Sequence, residues 1–166
     1  MKTIGIDLGT TSISVVVLEN QEVIYAVDMN SESWISQIDK TQDVNIITSK
    51  AKALLDECLG KYNDIAYIGL TGQMHGIVRL DKNGKAISPL YTWQHQSPQS
   101  LIDHINQYTK HKVASGYGLV TYIELGEDKN VACICTIMDY LGMLLTNRKK
   151  PLCHESNSAS LGFWDL

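Results

Sequence analysis

The first 27 residues alternate between short apolar runs and polar turns, a pattern typical of extended structure. The apolar runs are Thr3–Ile6, Ile13–Leu18 and Val23–Val27, and they are rich in isoleucine and valine. Such residues favour strands because their branched side chains pack well on a pleated surface. Three strands joined by short polar turns predict an antiparallel meander at the start of the chain.

A helical pattern follows a polar stretch, Asp28–Gln42, for which we expect irregular structure. Asp43 is a suitable N-cap for this helix, and Gly60 is expected to end it. Between them, apolar residues recur at helical spacing, at Ile47, Ala51, Leu54, Leu55 and Cys58. The next apolar run, Ile65–Leu70, predicts a strand. A strand reached through a helical crossover can pair in parallel with the first strand, so the sequence predicts one mixed sheet.

The second half of the chain predicts a hairpin followed by two helices. The runs Ile77–Leu80 and Ala86–Tyr91 flank an Asn-Gly pair, which tight hairpin turns favour. Ser97 followed by Pro98 predicts the beginning of a helix, with serine as the N-cap and proline as the first helical residue. The stretch Val131–Leu145 has the strongest helical periodicity in the chain.

The composition is that of an ordinary globular domain. The chain has 166 residues, enough for one domain, and 44% of them are hydrophobic. The formal net charge is −4, which argues against nucleic acid or an anionic membrane as a partner. No run approaches the roughly 18 apolar residues of a transmembrane helix, and no secretory signal pattern precedes the first strand.

The four cysteines follow no metal-binding or disulfide pattern. They are Cys58, Cys133, Cys135 and Cys153, and no pair has the Cys-x-x-Cys spacing. Cys133 and Cys135 fall inside the predicted helix Val131–Leu145. We interpret all four as reduced core thiols of a cytoplasmic protein, and we expect neither a disulfide framework nor a zinc site.

The turn between the first two strands is the first candidate for chemistry. Asp7 ends the first apolar run, Gly9 permits a tight turn, and the hydroxyl residues Thr10, Thr11 and Ser12 follow. Backbone N–H groups and hydroxyls in such a turn suit phosphate oxygens, and a neighbouring carboxylate suits Mg²⁺. Equally, the carboxylate can cap the turn while the hydroxyls satisfy a hairpin that binds no ligand.

The loop after the strand Ile65–Leu70 is the second candidate. It contains Gln73, Met74 and His75, and a large aromatic residue, Trp93, occurs in a later polar cluster. In open α/β sheets ligands collect at the carboxyl ends of strands, which is where this loop is predicted to lie. The sequence therefore places two polar loops, each following a strand, among the candidate binding segments.

Several segments, taken together and in order, resemble the FGGY family of carbohydrate kinases. Gly5–Ser12 is similar to the family's opening phosphate loop. Thr71–Gly76 is similar to the sugar-loop motif of its xylulose and sedoheptulose kinases, and Thr92–Gln94 resembles its tryptophan signature. Thr136–Leu141 and Asn157–Ser160 resemble the closing part of the first domain. The resemblance covers essentially the whole chain, and the spacing of the segments favours the sedoheptulose-kinase branch.

The resemblance implies an α/β domain of the ribonuclease H-like, actin-like ATPase type. Its mixed sheet would have three antiparallel strands first, with helices packed on the sheet. The implied reaction is ATP-dependent phosphorylation of a ketose sugar, sedoheptulose- or xylulose-like, with ATP and Mg²⁺ as cofactors. Such transfer depends on positioning and charge neutralisation. The resemblance gives Asp7 the role of holding Mg²⁺ through water, and it makes Gly9, Thr10, Thr11 and Ser12 donors to phosphate.

The resemblance also implies a sugar pocket lined by Gln73, Met74, His75 and Trp93. Gln73 offers both a donor and an acceptor, His75 can donate to a hydroxyl, and Trp93 can cover a sugar face. Taken singly, these side chains have ordinary structural readings. His75 can be a hydrogen-bonded structural residue, Met74 can pack in the core, and Trp93 can be partly buried.

Residues 1–166 are interpreted as the N-terminal, sugar-binding domain of a two-domain kinase. The resemblance implies that the catalytic base comes from a C-terminal ATP-binding domain that this sequence does not include. We therefore assign no catalytic residue here and expect the isolated chain to be inactive. Phe163 and Trp164 are read as the start of another element. The expected partner is a small-molecule sugar, with no nucleic acid and no membrane, and a homodimer is compatible with this reading.

Two positions depart from the signature that the resemblance rests on. His95 stands where an aspartate is usual, and Ser97 stands where an arginine is usual. The sugar-side loop thereby lacks a carboxylate and a cation. A second hypothesis follows from this loss, namely a catalytically inactive sugar-binding or regulatory module.

Overall fold

A computed structural model of the chain describes residues 1–163, so the predicted element at Trp164 lies outside the described residues. A first unit comprises residues 1–33 and 45–73, and a second unit comprises Trp34–Val44 and the residues from Met74 onward. The described strands are β1 (Lys2–Leu8), β2 (Ser12–Glu19), β3 (Glu22–Asn30), β4 (Trp34–Ser36), β5 (Thr41–Gln42), β6 (Ile65–Gly72), β7 (Val78–Leu80), β8 (Leu90–Tyr91) and β9 (Cys133–Cys135). The described helices are α1 (Val44–Lys61), α2 (Gln99–Ile105), α3 (Gly118–Leu125), α4 (Ile137–Leu145) and α5 (Glu155–Leu161).

The strands of the first unit form one mixed sheet in the order β3–β2–β1–β6. β1 pairs antiparallel with β2, and β2 pairs antiparallel with β3, which confirms the predicted meander. The chain then returns through α1, and β6 pairs in parallel with β1, with Asp7 opposite Thr71. The predicted mixed sheet is therefore confirmed, and β1 is an interior strand with one antiparallel and one parallel neighbour.

The apolar core of the first unit lies on one face of this sheet. Alternate residues of β1 and β2 face each other there in register, namely Ile4, Ile6, Leu8, Val17, Val15 and Ile13. None of these side chains is more than 1% exposed. α1 adds the buried residues that the helical spacing predicted, Ile47, Ala51, Leu54, Leu55 and Cys58. Burying each large aliphatic side chain contributes about 1.5–3 kcal/mol, so this face supplies most of the unit's hydrophobic stabilisation.

The second unit contains two small sheets, β4–β5–β8 and β7–β9. The expectation of irregular structure over Asp28–Gln42 is wrong, because β3 continues to Asn30 and two short strands follow. β5 pairs with β8, whose residues are distant in the sequence, and such pairing leaves no local pattern. The predicted hairpin strand Ala86–Tyr91 is likewise reduced to β8 and an isolated bridge between Leu80 and Ala86.

The predicted helix Val131–Leu145 is half strand and half helix. Its first part is β9, in which Cys133 and Cys135 pair with β7 rather than lying on a helix. α4 then begins after Thr136, whose side chain accepts from the Asp139 backbone while the Asp139 carboxylate accepts from Thr136. This reciprocal capping box satisfies two donors that a helix N-terminus leaves unpaired. The Thr-x-x-Asp spacing was therefore the signal that separates the strand from the helix.

The helix predicted to begin at Pro98 begins one residue later, at Gln99. Pro98 occupies the N-cap position in an extended conformation and makes no side-chain cap, so the assignment of Ser97 as N-cap is wrong. The Ser97 N–H instead donates to Ser115 Oγ at 2.7 Å. α3 and α5 were not predicted. α5 consists largely of small polar residues, which carry no hydrophobic periodicity.

The cysteines are free thiols, as expected, but not all of them are core residues. Cys58 and Cys135 are buried, Cys133 is partly exposed, and Cys153 is exposed. Burial raises the pKa of the Cys135 thiol. No helix within residues 1–163 is both long enough and apolar enough to cross a membrane.

The parallel pair β1–β6 requires a glycine where the two strands end. A Cβ at Gly72 would lie 2.7 Å from the Leu8 carbonyl oxygen and 2.9 Å from Leu8 Cβ. Gly60, near the end of α1, would place a Cβ in open space, with nothing within 4 Å. An alanine side chain would therefore be crowded at Gly72 and unhindered at Gly60.

We expect Gly72→Ala to lower the free energy of unfolding by about 1–3 kcal/mol, because an added methyl group must displace β1. Gly60→Ala is the matched control, and it should stabilise by up to about 1 kcal/mol because alanine favours a helix over glycine. Urea unfolding of both variants beside the wild type measures the difference. Equal stabilities would contradict the close approach of β6 to Leu8.

Candidate active site

Asp7 is the exposed carboxylate at the end of the central strand of the first unit. Its register partners are Ser14 on β2 and Thr71 on β6, so the three polar side chains share one face of the sheet. Asp7 is exposed, whereas its neighbours Ile6 and Leu8 point into the core. Among the described residues, its carboxylate makes no hydrogen bond or ion pair, so the alternative reading of Asp7 as a turn cap finds no contact to support it.

Ser31 holds the turn that follows Asp7 through two backbone carbonyls of the turn. The Ser31 N–H donates to the Thr11 carbonyl at 2.8 Å, and Ser31 Oγ donates to the Thr10 carbonyl at 3.2 Å. Because a trans peptide directs its N–H opposite to its C=O, the N–H groups of Thr11 and Ser12 point away from Ser31. A Cβ at Gly9 would lie 2.9 Å from the Ser12 carbonyl oxygen, so the tight turn requires glycine.

Gln73 continues β6 beyond its last strand residue and stays in the first unit. Its backbone N–H donates to the Leu8 carbonyl at 2.9 Å. The side chain is buried, with 8% exposed, so it is far less accessible than a residue that lines an open sugar pocket. The first unit therefore brings Asp7, Thr71 and Gln73 to the same end of the β1–β6 pair.

The chemistry of this end of the sheet fits Mg²⁺ bound with a nucleotide. Within residues 1–163 there is no group of three or more His, Cys, Asp or Glu side chains arranged to hold a metal ion. Asp7 would offer a carboxylate here, with the hydroxyls of Ser14 and Thr71 beside it. Mg²⁺ usually keeps several waters and binds one or two carboxylates together with substrate phosphates. The donor set thus suits a metal held by water and phosphate oxygens.

His75 lies in the second unit with a fixed ring orientation. Its φ is +67°, a left-handed conformation that is uncommon outside glycine and is enriched at functional sites. The ring stacks on Tyr117 with centroids 4.5 Å apart and an interplanar angle of 26°. His75 Nδ1 contacts the Ser160 carbonyl oxygen. Because a carbonyl only accepts, Nδ1 carries the proton, and Nε2 of the neutral ring is an acceptor.

A chain of hydrogen bonds supports the carbonyl that orients His75. The Asp139 carboxylate, already part of the capping box of α4, accepts from Asn157 Nδ2 at 3.0 Å. The Asn157 carbonyl accepts from Ser160 Oγ at 2.9 Å. The Ser160 carbonyl is near the end of α5, where carbonyls lack a partner within the helix. His75 takes that acceptor, so the ends of α4 and α5 together set the imidazole orientation.

Met74 and Trp93 both present side chains to solvent. Met74 is 54% exposed and Trp93 is 47% exposed, so the core-packing reading of Met74 is wrong. The turn at Trp93 is anchored by Thr92, whose N–H and Oγ1 both donate to the Lys40 carbonyl. A Cβ at Gly116 would lie 1.9 Å from the Trp93 carbonyl oxygen, so this backbone contact requires glycine.

Two supporting residues of this region escaped the sequence analysis. Tyr117 was not singled out from the sequence, yet it supplies the ring on which His75 stacks. Ser160 acts through its backbone carbonyl, which no residue-type pattern can reveal. Of the predicted sugar-side residues, the structure places Met74, His75 and Trp93 in the second unit and Gln73 in the first.

Comparison with known proteins identifies the family. A model of the FGGY family of carbohydrate kinases, N-terminal domain, matches residues 2–166. The sedoheptulokinase of Mus musculus is 29% identical to this chain over 98% of the chain and 42% of the mouse protein. The xylulose kinase of Staphylococcus xylosus is 28% identical over 86% of the chain and 33% of that protein. The chain thus spans less than half the length of either curated relative.

A solved structure shows the same fold. The xylulose kinase of Rhodospirillum rubrum superposes with a TM-score of 0.87 at 20% identity, over 100% of this chain and 38% of that one. This confirms the α/β fold of the ribonuclease H-like, actin-like ATPase type, with its mixed sheet. Because the family model spans all but the first residue, the chain belongs to the FGGY family of carbohydrate kinases.

Proposed function

We propose that the protein containing this chain transfers the γ-phosphoryl group of ATP to a hydroxyl of a ketose sugar, sedoheptulose- or xylulose-like. The observation that carries the proposal is the exposed Asp7 carboxylate, which lies at the end of the central strand and beside the glycine turn. Relatives named sedoheptulokinase and xylulose kinase support the reaction class. Phosphoryl transfer needs charge neutralisation and positioning more than covalent chemistry, and the described residues fit those tasks.

In this proposal the first unit binds the phosphate end of the nucleotide. Asp7 would hold Mg²⁺ through water, and the bound metal would supply positive charge to the phosphates of the nucleotide. Phosphate oxygens accept hydrogen bonds from the N–H and hydroxyl groups of Gly9, Thr10, Thr11 and Ser12. The two carbonyl contacts from Ser31 keep the turn in place before a ligand arrives, which reduces the entropy lost on binding.

The second unit supplies sugar-side contacts in this proposal. His75 Nε2 accepts a hydrogen bond from a sugar hydroxyl, because the Ser160 carbonyl already takes the Nδ1 proton. Donation from His75 to the sugar, as first expected, would require the charged ring. Met74 and Trp93 offer exposed apolar surface to the carbon face of the sugar. Gln73 is buried, so only the small exposed part of its side chain is available to a sugar.

We further propose that residues 1–166 form the N-terminal, sugar-binding domain and that the catalytic base and the adenine site lie elsewhere in the protein. None of the candidate residues here is assigned the role of base. The rival function, a sugar-binding module without phosphoryl transfer, is motivated by His95 in place of the signature aspartate. Sugar binding without sugar-dependent ADP release by the full-length protein would favour that rival.

We expect Asp7→Asn to lower sugar-dependent ADP release by the full-length protein about 10- to 100-fold, the usual effect of losing an outer-sphere metal partner. The matched control is Asp28→Asn. Asp28 is an exposed carboxylate two strands away on the same face, opposite Ser14 in register, and its loss should leave turnover unchanged. A coupled ADP assay measures both. Unchanged turnover in Asp7→Asn, or equal losses in the two variants, would refute the role of Asp7.

The substitution His75→Asn tests the role of Nε2 separately from that of Nδ1. Asparagine tolerates positive φ and keeps a donor near the Nδ1 position, but it has no atom at the Nε2 position. Losing one hydrogen bond should raise the KM for the ketose about tenfold, with the KM for ATP unchanged. The exposed His104, changed to Asn, is the control. A ketose KM at the wild-type value in His75→Asn would exclude Nε2 as a sugar contact.

A further inference from the structure

His95 is a buried imidazole with an acceptor opposite each ring nitrogen. Nδ1 lies 2.8 Å from the Asp39 carbonyl oxygen, and Nε2 lies 3.2 Å from Glu124 Oε2. The His95 side chain is 10% exposed and the Glu124 side chain is 27% exposed. Each ring nitrogen therefore faces an oxygen that only accepts, the Asp39 carbonyl at Nδ1 and the Glu124 carboxylate at Nε2.

Tyr91 and Arg79 also lie near this pair. The ring edge of His95 meets Tyr91 of β8 with centroids 5.2 Å apart. Burial raises the pKa of the Tyr91 hydroxyl, which keeps it neutral, and Arg79, Asp39 and Glu124 are the charged groups that Tyr91 senses. The Arg79 guanidinium is engaged by the Gly126 carbonyl at 2.7 Å. Of the carboxylates among these groups, that of Glu124 contacts the imidazole directly.

The backbone of His95 closes the turn that carries Trp93. The His95 N–H donates to the Thr92 carbonyl at 3.0 Å, which brackets Trp93 and Gln94 in a tight turn. The His95 carbonyl accepts from Ser115 Oγ at 3.1 Å. The next residue, Gly116, approaches the Trp93 carbonyl too closely to carry a side chain. Any displacement of His95 must therefore move the backbone on both sides of the indole.

The side chain of His95 ties this turn to two separate elements. Through Nδ1 it holds the segment just before β5, and through Nε2 it holds α3. The turn is thus clamped between Asp39 and Glu124, while Trp93 keeps 47% of its surface exposed. An exposed aromatic side chain on a backbone fixed from both sides is pre-organised for a ligand, because little freedom is lost on binding.

We propose that His95 and Glu124 are positioning residues whose contact sets the orientation of the Trp93 indole for the sugar. The ligand in this proposal, a ketose, rests on the proposed function. The effect of Glu124 on the orientation of the Trp93 indole does not depend on the ligand. His95 stands where the resemblance expects a carboxylate, and in this chain a carboxylate of α3, that of Glu124, lies 3.2 Å from its Nε2.

The test uses the full-length protein labelled with 5-fluorotryptophan, with Trp93→Phe to assign the Trp93 ¹⁹F resonance. Glu124→Ala removes the anchor, and Glu124→Gln removes its charge at constant volume in case the alanine variant does not fold. Glu127→Ala, an exposed acid just beyond α3, is the matched control. We expect both Glu124 variants to shift or broaden the Trp93 resonance without any ligand, and the control to leave it unchanged.

The kinetic part of the test separates this proposal from the proposed function. We expect the KM for the ketose to rise about tenfold in Glu124→Ala while kcat and the KM for ATP stay within about twofold. A Trp93 resonance at its wild-type position in both Glu124 variants would overturn the proposal, as would a shifted resonance with an unchanged ketose KM. A shifted resonance in a protein that binds no ketose would support the positioning of Trp93 and overturn the proposed function.

Discussion

The parallel pairing of β6 with β1 is the constraint on which the first unit depends. It is the non-local pairing that brings residues about 65 positions apart into register, with Asp7 opposite Thr71. Gly72 permits it, since a side chain there would meet the Leu8 backbone. Once the strands are in register, side-chain alternation turns Ile6 and Leu8 into the core and Asp7 outward. The exposed carboxylate is a consequence of burying its neighbours.

The second unit positions its polar residues through backbone carbonyls. The Ser160 carbonyl orients His75, the Lys40 carbonyl anchors Thr92, and the Asp39 carbonyl holds His95. A carbonyl can only accept, so each contact fixes which atom of the partner carries a proton. The contact at His75 Nδ1 therefore leaves Nε2 as the acceptor, and at His95 both ring nitrogens face an oxygen that only accepts. Both conclusions follow from acceptor chemistry at identified atoms.

The parts of the fold that follow from local periodicity were predictable. The three-strand meander and α1 have alternating or helical patterns within single segments, and both are confirmed. Elements defined by partners distant in sequence were not. β5 forms because Thr41 lies opposite Tyr91, and β9 forms because Cys135 lies opposite Val78. An apolar run such as Val131–Leu145 fits a strand joined to a helix as well as it fits one helix, unless the capping spacing is read.

The central claim is that the turn after β1 receives the phosphate end of Mg·ATP, and a crystal structure of the full-length protein with Mg²⁺ and a non-hydrolysable ATP analogue tests it directly. The account predicts Mg²⁺ about 4 Å from an Asp7 carboxylate oxygen with a water between them, since a direct Mg–O bond is about 2.1 Å. It also predicts phosphate oxygens within hydrogen-bonding distance of the turn at Gly9–Ser12. A metal and phosphates bound elsewhere, with Asp7 facing bulk water, would contradict it.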